Sequence, residues 1–569
     1  MDKEILHTVR SVMGCMLVTA LAAGCAQEDI GNAPSEGGGM SASSYVSLSF
    51  ASQHSTPTRS NPTGGETGDE QEKGQNYENE IKSAVAFFYQ GSGADGVNSI
   101  GTTPIMAVAT FNVGSYTEPG NGIGIDRKYT TTPQQVDLDD GTYNVLVVAN
   151  PGADWWTGQS LTLDDVCNHI QATAWTASGS DYSDFVMTSA ADATLTLNSN
   201  PESDPATAEV NVERMAARLD YKTTGTYTCD DPDYESNNQK ATVEITGAAL
   251  VNNLTAGSYL LKRVADDVNG TNLSYLGDET ADENGVATNY VLDPWTTYKS
   301  KDLYGTWFMS GSSDPNWWAT YVQPGTPVSD GWLRIGYTLE NTTAAEEAGK
   351  RYSTGVVFKA KFNPQGVANY QGGATFFALG THLFASMEDM MRYVYGADFS
   401  QFDDKINACT DWAAVKNFAA SLLDNDPSGY KSFLQGQDDT QDFTSVKESL
   451  KWKAYMSNKC GYSASLNNDV YSVTLDQNGI VTRKALQSYG VRTYEDATCY
   501  YTWWVRHSND NNDDAKGIME YAIVRNNIYK LTVNSIYSLG NDVPGEDENI
   551  ILDVYVNDWL LLDPETLPM

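Results

Sequence analysis

The stretch "SYVSLSFASQHSTPTRSNPTGGETGDEQEKG" spans residues 44–74 and combines two contrasting patterns. Val46, Leu48 and Phe50 alternate with serine residues, which is the period-2 pattern of a β-strand that buries one apolar face. The remainder is polar and rich in glycine, and it contains a single arginine, Arg59. A strand suited to an apolar groove is therefore joined to the chain by an exposed tether that a protease can cut.

The composition favours a β-rich globular protein with an acidic surface. The chain has 569 residues, and 35 Lys and Arg stand against 74 Asp and Glu, which gives a formal net charge of -39. A chain with this charge is repelled by phosphate backbones, so we expect no nucleic-acid partner. Hydrophobic residues make up 40% of the chain, which is too much for general disorder. The 33 tyrosines favour pleated strands joined by tight turns.

The N-terminus resembles the signal peptide of a bacterial lipoprotein. The apolar run "SVMGCMLVTALAA" (11–23) is too short to span a bilayer, and it leads into "LAAGC" (21–25). That motif resembles a lipobox with Cys25 as the acylated residue, although an ordinary secretory signal is the alternative. We expect residues 1–24 to be the signal peptide.

Period-2 segments at short intervals predict β-sandwiches rather than βαβ units. "EIKSAVAFFYQ" (80–90) and "GTYNVLVVANPG" (141–152) are strong predicted strands, and "SLTLDDVCNHIQATAW" (160–175) suggests one short helix. The loop at 201–205 is a candidate boundary between an N-terminal domain (60–205) and a C-terminal domain (206–548).

One region of the C-terminal half is predicted to be a helical insertion, at about 386–424. Ser386 and Asp389 have capping-box spacing. A second stretch places one apolar face at helical spacing, formed by Trp412, Val415, Phe418, Ala419 and Leu422.

The sequence contains no catalytic motif. There is no HExxH, GxSxG, Walker-type loop or paired CxxC, so we expect neither an enzyme nor a metal or other cofactor. Cys167 and His169 are interpreted as a buried thiol and a surface imidazole. The remaining cysteines are odd in number, so one or two disulfides are open but no pairing follows; they are Cys167, Cys229, Cys409, Cys460 and Cys499.

Three tryptophan doublets stand out, at 155–156, 317–318 and 503–504. Adjacent residues of a strand face opposite ways, so we expect at most one tryptophan of each doublet in a core. The other could stack on a sugar or lie in a protein interface.

The C-terminal stretch "ENIILDVYVNDWLLLDPETLPM" (548–569) is a second alternating strand. Its apolar face is formed by Ile550, Leu552, Val554 and Val556. It is either the last strand of its own sandwich or a strand offered to another molecule. If cleavage after Arg59 released the strand at 44–50, the open groove could accept the C-terminal strand of another subunit. Such a head-to-tail contact does not close on itself and builds a filament.

Several segments together resemble one known family, the fimbrillins of type V pili. The segments are the lipobox, "SYVSLSF" (44–50), the lone Arg59, "VERMAAR" (212–218), "VVFKAKFNP" (356–364), "VRNNIYKLTVNSI" (524–536) and "VYVNDW" (554–559). They are most similar to the shaft subunit of the minor fimbria. The family implies an all-β fold of two transthyretin-like β-sandwich domains in tandem, with the helical insertion in the second.

The resemblance also implies a maturation route. Carried onto this sequence, it gives lipidation at Cys25, a propeptide at 25–59, cleavage between Arg59 and Ser60 by an Arg-specific protease, and a donor strand within 549–569. The expected partners are other copies of the chain, accessory pilins, the protease, and a host protein or glycan. The expected location is the cell outer membrane for the lipidated precursor and then the surface fimbrium, which mediates adhesion.

Two other interpretations stay open. An accessory or tip pilin would use the insertion and exposed tryptophans to bind a host ligand. A surface-anchored glycan-binding β-sandwich lipoprotein would keep its lipid, and Arg59 would never be cut.

Overall fold

The computed structural model describes residues 43–52, 71–96, 100–113, 129–230, 240–283, 286–297, 322–344, 349, 352–386, 389–390, 393, 408–414, 417, 490–508, 512, 516–545 and 550–560. Several residues singled out above lie outside this part of the chain: Cys25, Arg59, Ser60, Trp317, Trp318, Cys460 and most of 386–424.

Strands dominate the described residues. The first strands are β1 (Ser44–Ser52), β2 (Gln71–Lys73), β3 (Ser83–Tyr89), β4 (Ala107–Asn112), β5 (Tyr129–Thr130), β6 (Gln134–Val136), β7 (Gly141–Ala149), β8 (Ile170–Gln171), β9 (Thr176–Ser178), β10 (Asp181–Ser183), β11 (Met187–Ser189), β12 (Ala193–Leu197) and β13 (Ala206–Arg214). The later strands are β14 (Ala217–Lys222), β15 (Thr226–Asp230), β16 (Lys240–Val251), β17 (Ser258–Tyr259), β18 (Arg263–Ala265), β19 (Ser274–Tyr275), β20 (Tyr290–Val291), β21 (Thr326–Pro327), β22 (Leu333–Thr338), β23 (Gly355–Pro364), β24 (Phe376–Leu379), β25 (His382–Phe384), β26 (Val491–Tyr494), β27 (Thr498–Trp504), β28 (Asn527–Ile536) and β29 (Ile550–Leu560).

Helices are short and few among the described residues. Those with complete bounds are α1 (Asn76–Asn79), α2 (Leu163–Cys167) and a 3-10 turn at Glu495–Ala497, and residues 389–390, 393, 412–414 and 417 are also helical. The helix predicted within 160–175 is confirmed as α2, which begins after Thr162 because the Thr162 hydroxyl accepts a hydrogen bond from the backbone N–H of Asp165. In the predicted insertion, the hydroxyl of Ser386 caps a helical start at Asp389 in the same way.

The first sheet has the strand order β4-β3-β7-β11-β13-β1-β5, with β12 also pairing with β7 and β6 with β1. The predicted strands at 80–90 and 141–152 are confirmed as β3 and β7. Both read as nearly continuous apolar runs because apolar clusters cover both faces of the sheet. Successive residues of β3 therefore alternate between two cores: Phe88 belongs to one and Phe87 to the other.

Two further sheets face each other and, apart from β2, are formed by strands between residues 217 and 560. One has the order β2-β29-β28-β14-β22-β21 and the other β15-β16-β23-β27. A shared apolar cluster includes Leu219, Phe358 and Leu531, all fully buried. The predicted all-β sandwich fold is confirmed.

The chain passes from the first sheet to the second at Met215 and Ala216. β13 pairs with β1 and β11 of the first sheet, and β14 pairs with β22 and β28 of the second. The domain boundary predicted near residue 205 stays a prediction.

No helix in the described ranges is long and apolar enough to cross a membrane.

Candidate functional site

The predicted removable strand is an interior strand of the first sheet. β1 runs parallel to β13, from Val46 opposite Ala206 to Ser52 opposite Val212. On its other side it pairs with β5 and β6. Val46, Leu48 and Phe50 are each 0% exposed and lie in the apolar cluster of this sheet.

The serine face of β1 is buried as well, although the alternation predicted only one buried face. The hydroxyls of Ser47 and Thr207 are hydrogen-bonded at 3.0 Å, which satisfies a polar face inside the sheet. The backbone N–H of Leu48 donates to the hydroxyl of Thr131 at 2.9 Å, and its carbonyl accepts from the Thr131 N–H.

Loss of β1 would open a deep groove. Exposing the apolar surface that one large buried side chain covers costs about 1.5–3 kcal/mol. β1 has three such side chains, Val46, Leu48 and Phe50. The ladder groups of β13 would also lose their partners. Such a groove would expose both an apolar face and an unpaired strand edge.

The predicted donor strand is β29, which lies between β2 and β28 in the sheet with the order β2-β29-β28-β14-β22-β21. β29 runs antiparallel to β28, from Ile550 opposite Ile536 to Asp558 opposite Asn527. Its apolar face packs into the shared cluster of the two facing sheets; this face consists of Ile550, Leu552, Val554 and Val556, each at most 2% exposed. In the structure, β29 thus pairs within its own chain, and its role as a donor stays a prediction.

The C-terminal end of β29 pairs with a strand on each side, β28 and β2. Among the described residues, β2 pairs with β29 only at its last three positions, so that Glu72 lies opposite Trp559. The Trp559 side chain is fully buried and belongs to the same apolar cluster as the side chains of β1. Its ring stacks on Tyr337 with 5.9 Å between centroids.

Two buried arginines enclose Trp559. The Arg214 guanidinium lies 4.6 Å from the centroid of the indole ring and donates to the Trp559 carbonyl at 2.9 Å. It also donates to the carbonyl of Glu78, at 3.0 Å, and to Oδ1 of Asn79. Arg218 lies 5.7 Å from the same ring centroid. We call Glu78, Asn79, Arg214, Arg218 and Tyr337 around Trp559 the Trp559 clamp.

A buried ion-pair network supports the clamp. Arg218 binds Glu78 at 2.9 Å, Asp220 at 2.8 Å and Glu72 at 2.7 Å. The side chains of Arg218, Glu78 and Asp220 are all 0% exposed, and the Tyr337 hydroxyl donates to Glu78. Residues immediately after the tether, on β2 and α1, are thereby fixed to the junction of the two sheets.

The burial of these groups shifts their pKa values. Burial lowers the pKa of Arg214 to about 10, because a charged group is disfavoured away from water. Burial also opposes the charge of Arg218, but the carboxylates of Asp220 and Glu78 outweigh it and raise its pKa. The buried Arg218 therefore stays charged because of its carboxylate partners, Asp220 and Glu78.

Replacing Arg218 should be strongly destabilising. Arg218→Met leaves Glu78 and Asp220 as buried carboxylates without their cation, so we expect the free energy of unfolding to fall by about 3–5 kcal/mol. Lys82→Met is the matched control, because its ion pair with Asp184 is about half exposed and should contribute under about 1 kcal/mol. Urea unfolding of the full chain measures both. Equal effects of the two changes would contradict a stabilising network.

The expectation of one core tryptophan per doublet is wrong at 503–504. Trp503 is 8% and Trp504 2% exposed, because β27 is covered by a separate apolar cluster on each face. Trp155 and Trp156 lie in a turn, where strand alternation does not apply. Trp155 is half-buried and stacks on His169, at 3.9 Å between centroids, and on Phe87.

The other candidate residues form no reactive group. Cys167 is fully buried, and burial raises the pKa of its thiol well above the ordinary range. Cys499 is buried too, and burial raises its pKa to about 12. A thiol with such a pKa is not a nucleophile at neutral pH. In the described part of the chain no three His, Cys, Asp or Glu side chains are grouped to hold a metal ion.

The comparison with protein families agrees with this all-β architecture. Residues 492–563 match the family model described as "Major fimbrial subunit protein type IV, Fimbrillin, C-terminal". Residues 492–563 are therefore similar to the C-terminal region of fimbrillins, and the resemblance predicted from the sequence is confirmed over that segment.

Solved structures of cell adhesion and fimbrial proteins are also similar to this chain. A cell adhesion protein of Parabacteroides distasonis is 12% identical, with a TM-score of 0.38, over 91% of this chain and 100% of that one. A fimbrilin of Porphyromonas gingivalis is 13% identical, with a TM-score of 0.32, over 92% and 99%. The tip fimbrial protein of the same organism is 9% identical, with a TM-score of 0.31, over 91% and 100%. No curated protein sequence matches this chain significantly.

Proposed function

We propose that this chain is a structural subunit of an adhesive cell-surface fimbria that polymerises by donor-strand exchange. The precursor is exported as a lipoprotein acylated at Cys25 and is cut between Arg59 and Ser60. The observation that carries the proposal is the placement of β1: an interior strand with three fully buried apolar side chains, which precedes a polar tether containing Arg59. The fimbrillin match over 492–563 supports the same class.

The two strands differ in a way that supports the direction of exchange. The position of β1 has strands on both sides, because β13 pairs along one edge and β5 and β6 along the other. β29 has β28 along one edge and, among the described residues, β2 at only three positions of the other. A strand near a sheet edge detaches at a lower cost than an interior strand, and it gains a full set of partners in the vacated groove.

The chemistry of the groove matches the donor. The β1 side chains that would leave are Val46, Leu48 and Phe50, and the donor offers Ile550, Leu552, Val554 and Val556 at the same period-2 spacing. Exchange replaces one buried alternating strand by another and restores the ladder to β13. Each subunit then accepts one strand and gives one, so the partners are other copies of the chain and accessory pilins, and the product is a fibre on the cell surface.

Protein taken from the cell surface should therefore run as a ladder of high-mass species in SDS without heating. A strand inserted along a full sheet is held by a continuous ladder and a buried face, and it dissociates slowly. Boiling should collapse the ladder to one band. A single monomer band before heating would contradict polymerisation and favour the monomeric glycan-binding lipoprotein.

A further inference from the structure

The Trp559 clamp joins the two strands that the proposed exchange moves. β13 holds β1 along its length, with Val212 opposite Ser52, and ends at Arg214 two residues later. Arg214 in turn holds the carbonyl and the ring of Trp559 on β29. One strand thus touches the leaving strand along its edge and the donor strand at its end.

The backbone of Trp559 in the clamp is held by hydrogen bonds on both sides. The Trp559 N–H donates to the carbonyl of Asn526 at 3.1 Å, while Arg214 donates to the Trp559 carbonyl from the other side. Oδ1 of Asn526 also accepts from the backbone N–H of Arg214, at 3.1 Å. Withdrawal of β29 requires both hydrogen bonds of the Trp559 backbone to break.

Arg214 can hold Trp559 only while its surroundings stay closed. The guanidinium is 1% exposed, so each of its hydrogen bonds is made without competition from water. The apolar cluster that excludes water here includes both the Trp559 ring and the side chains of Leu48 and Phe50. Loss of β1 removes part of that cover and frees one edge of β13. Water then replaces the lost contacts, and release of Trp559 becomes less costly.

We propose that departure of β1 unlocks β29 through β13 and the Trp559 clamp, so that a subunit offers its donor strand only after its own first strand has left. This regulation rests on the proposed strand exchange. It keeps an uncut precursor from donating β29 during export, when a free alternating strand is an aggregation hazard. Cleavage then produces the acceptor groove and the available donor in one step.

Hydrogen–deuterium exchange on the full-length Arg59→Ala precursor tests the coupling without cleavage or assembly. Leu48→Ala, added to this background, should loosen β1, and amides of 550–560 should then exchange at least about tenfold faster. Leu146→Ala is the matched control, because Leu146 is as deeply buried in the same sheet but belongs to the opposite core. It should leave the exchange of 550–560 unchanged.

Two more variants keep the test informative if Leu48→Ala fails to fold. Thr131→Val loosens β1 more gently by removing the hydroxyl that accepts from the Leu48 N–H. Gly74→Ala acts on the clamp alone, because a Cβ at Gly74 would lie 2.5 Å from Nε1 of Trp559. It should speed exchange in β29 and leave β1 protected.

The outcomes separate the inference from the proposed function. Faster exchange of β1 with unchanged exchange of β29 would overturn the coupling, as would equal acceleration by Leu146→Ala. Neither result depends on fibres. Failure of strand exchange itself would instead appear as monomers on the cell surface, with the coupling in the uncut precursor unaffected.

Discussion

A disulfide that locks β29 to β28 should abolish fibre formation while cleavage after Arg59 proceeds normally. Thr532 and Asp553 lie opposite each other in the antiparallel register of these strands. Opposite residues have Cβ atoms about 4.5–5.5 Å apart, within a small adjustment of disulfide geometry. Thr532→Cys with Asp553→Cys should therefore cross-link the donor strand to its own sheet. The expected result is cleaved subunits that begin at Ser60 and run as monomers in SDS.

Reduction provides the control for this lock. Dithiothreitol should restore assembly of the double-cysteine variant, and each single-cysteine variant should assemble under both conditions. A charge introduced at Val554 would not isolate the donor role, because Val554 is fully buried in its own core and the subunit itself would unfold. Normal fibres from the oxidised double variant would show that the donor is not β29.

The second large effect is expected from Arg59→Ala, which should leave an uncut, lipidated precursor and no fibres. β1 then stays in the first sheet, where its three large side chains are fully buried and its ladder is complete. No groove opens, so no donor strand can enter. The measurement is electron microscopy of the cell surface together with the SDS ladder.

Matched changes in the tether sharpen this result. Arg59→Lys keeps the charge but removes the specific cleavage site, so it should behave like Arg59→Ala. Thr58→Ala keeps the arginine and should give normal fibres. Normal fibres from Arg59→Ala would contradict the requirement for groove opening.

Strands with an alternating pattern could be predicted from the sequence because each buries a face locally encoded by every second residue. β1 and β29 show this in the spacing of Val46, Leu48 and Phe50 and of Leu552 and Val554. The rule that alternation buries only one face fails at the doublet 503–504, because no local pattern shows that β27 is covered on both faces. Burial of the second face is a property of the packed sheets.

The Trp559 clamp could be predicted only in part. Arg214 and Arg218 fall in "VERMAAR" and Trp559 in "VYVNDW", segments that carry the family resemblance. Of their partners, Glu72 lies in the polar stretch interpreted as an exposed tether, and Glu78 lies just after it. Their burial depends on contacts with residues 140 and more positions away, which only the folded chain brings together.

N-terminal sequencing with intact mass measurement of protein recovered from the cell surface tests the central claim most directly. Removal of β1 by cleavage predicts a chain that begins at Ser60 and carries no lipid. A chain that begins at an acylated Cys25 and still contains residues 44–52 would contradict the account, because β1 would then never leave its groove.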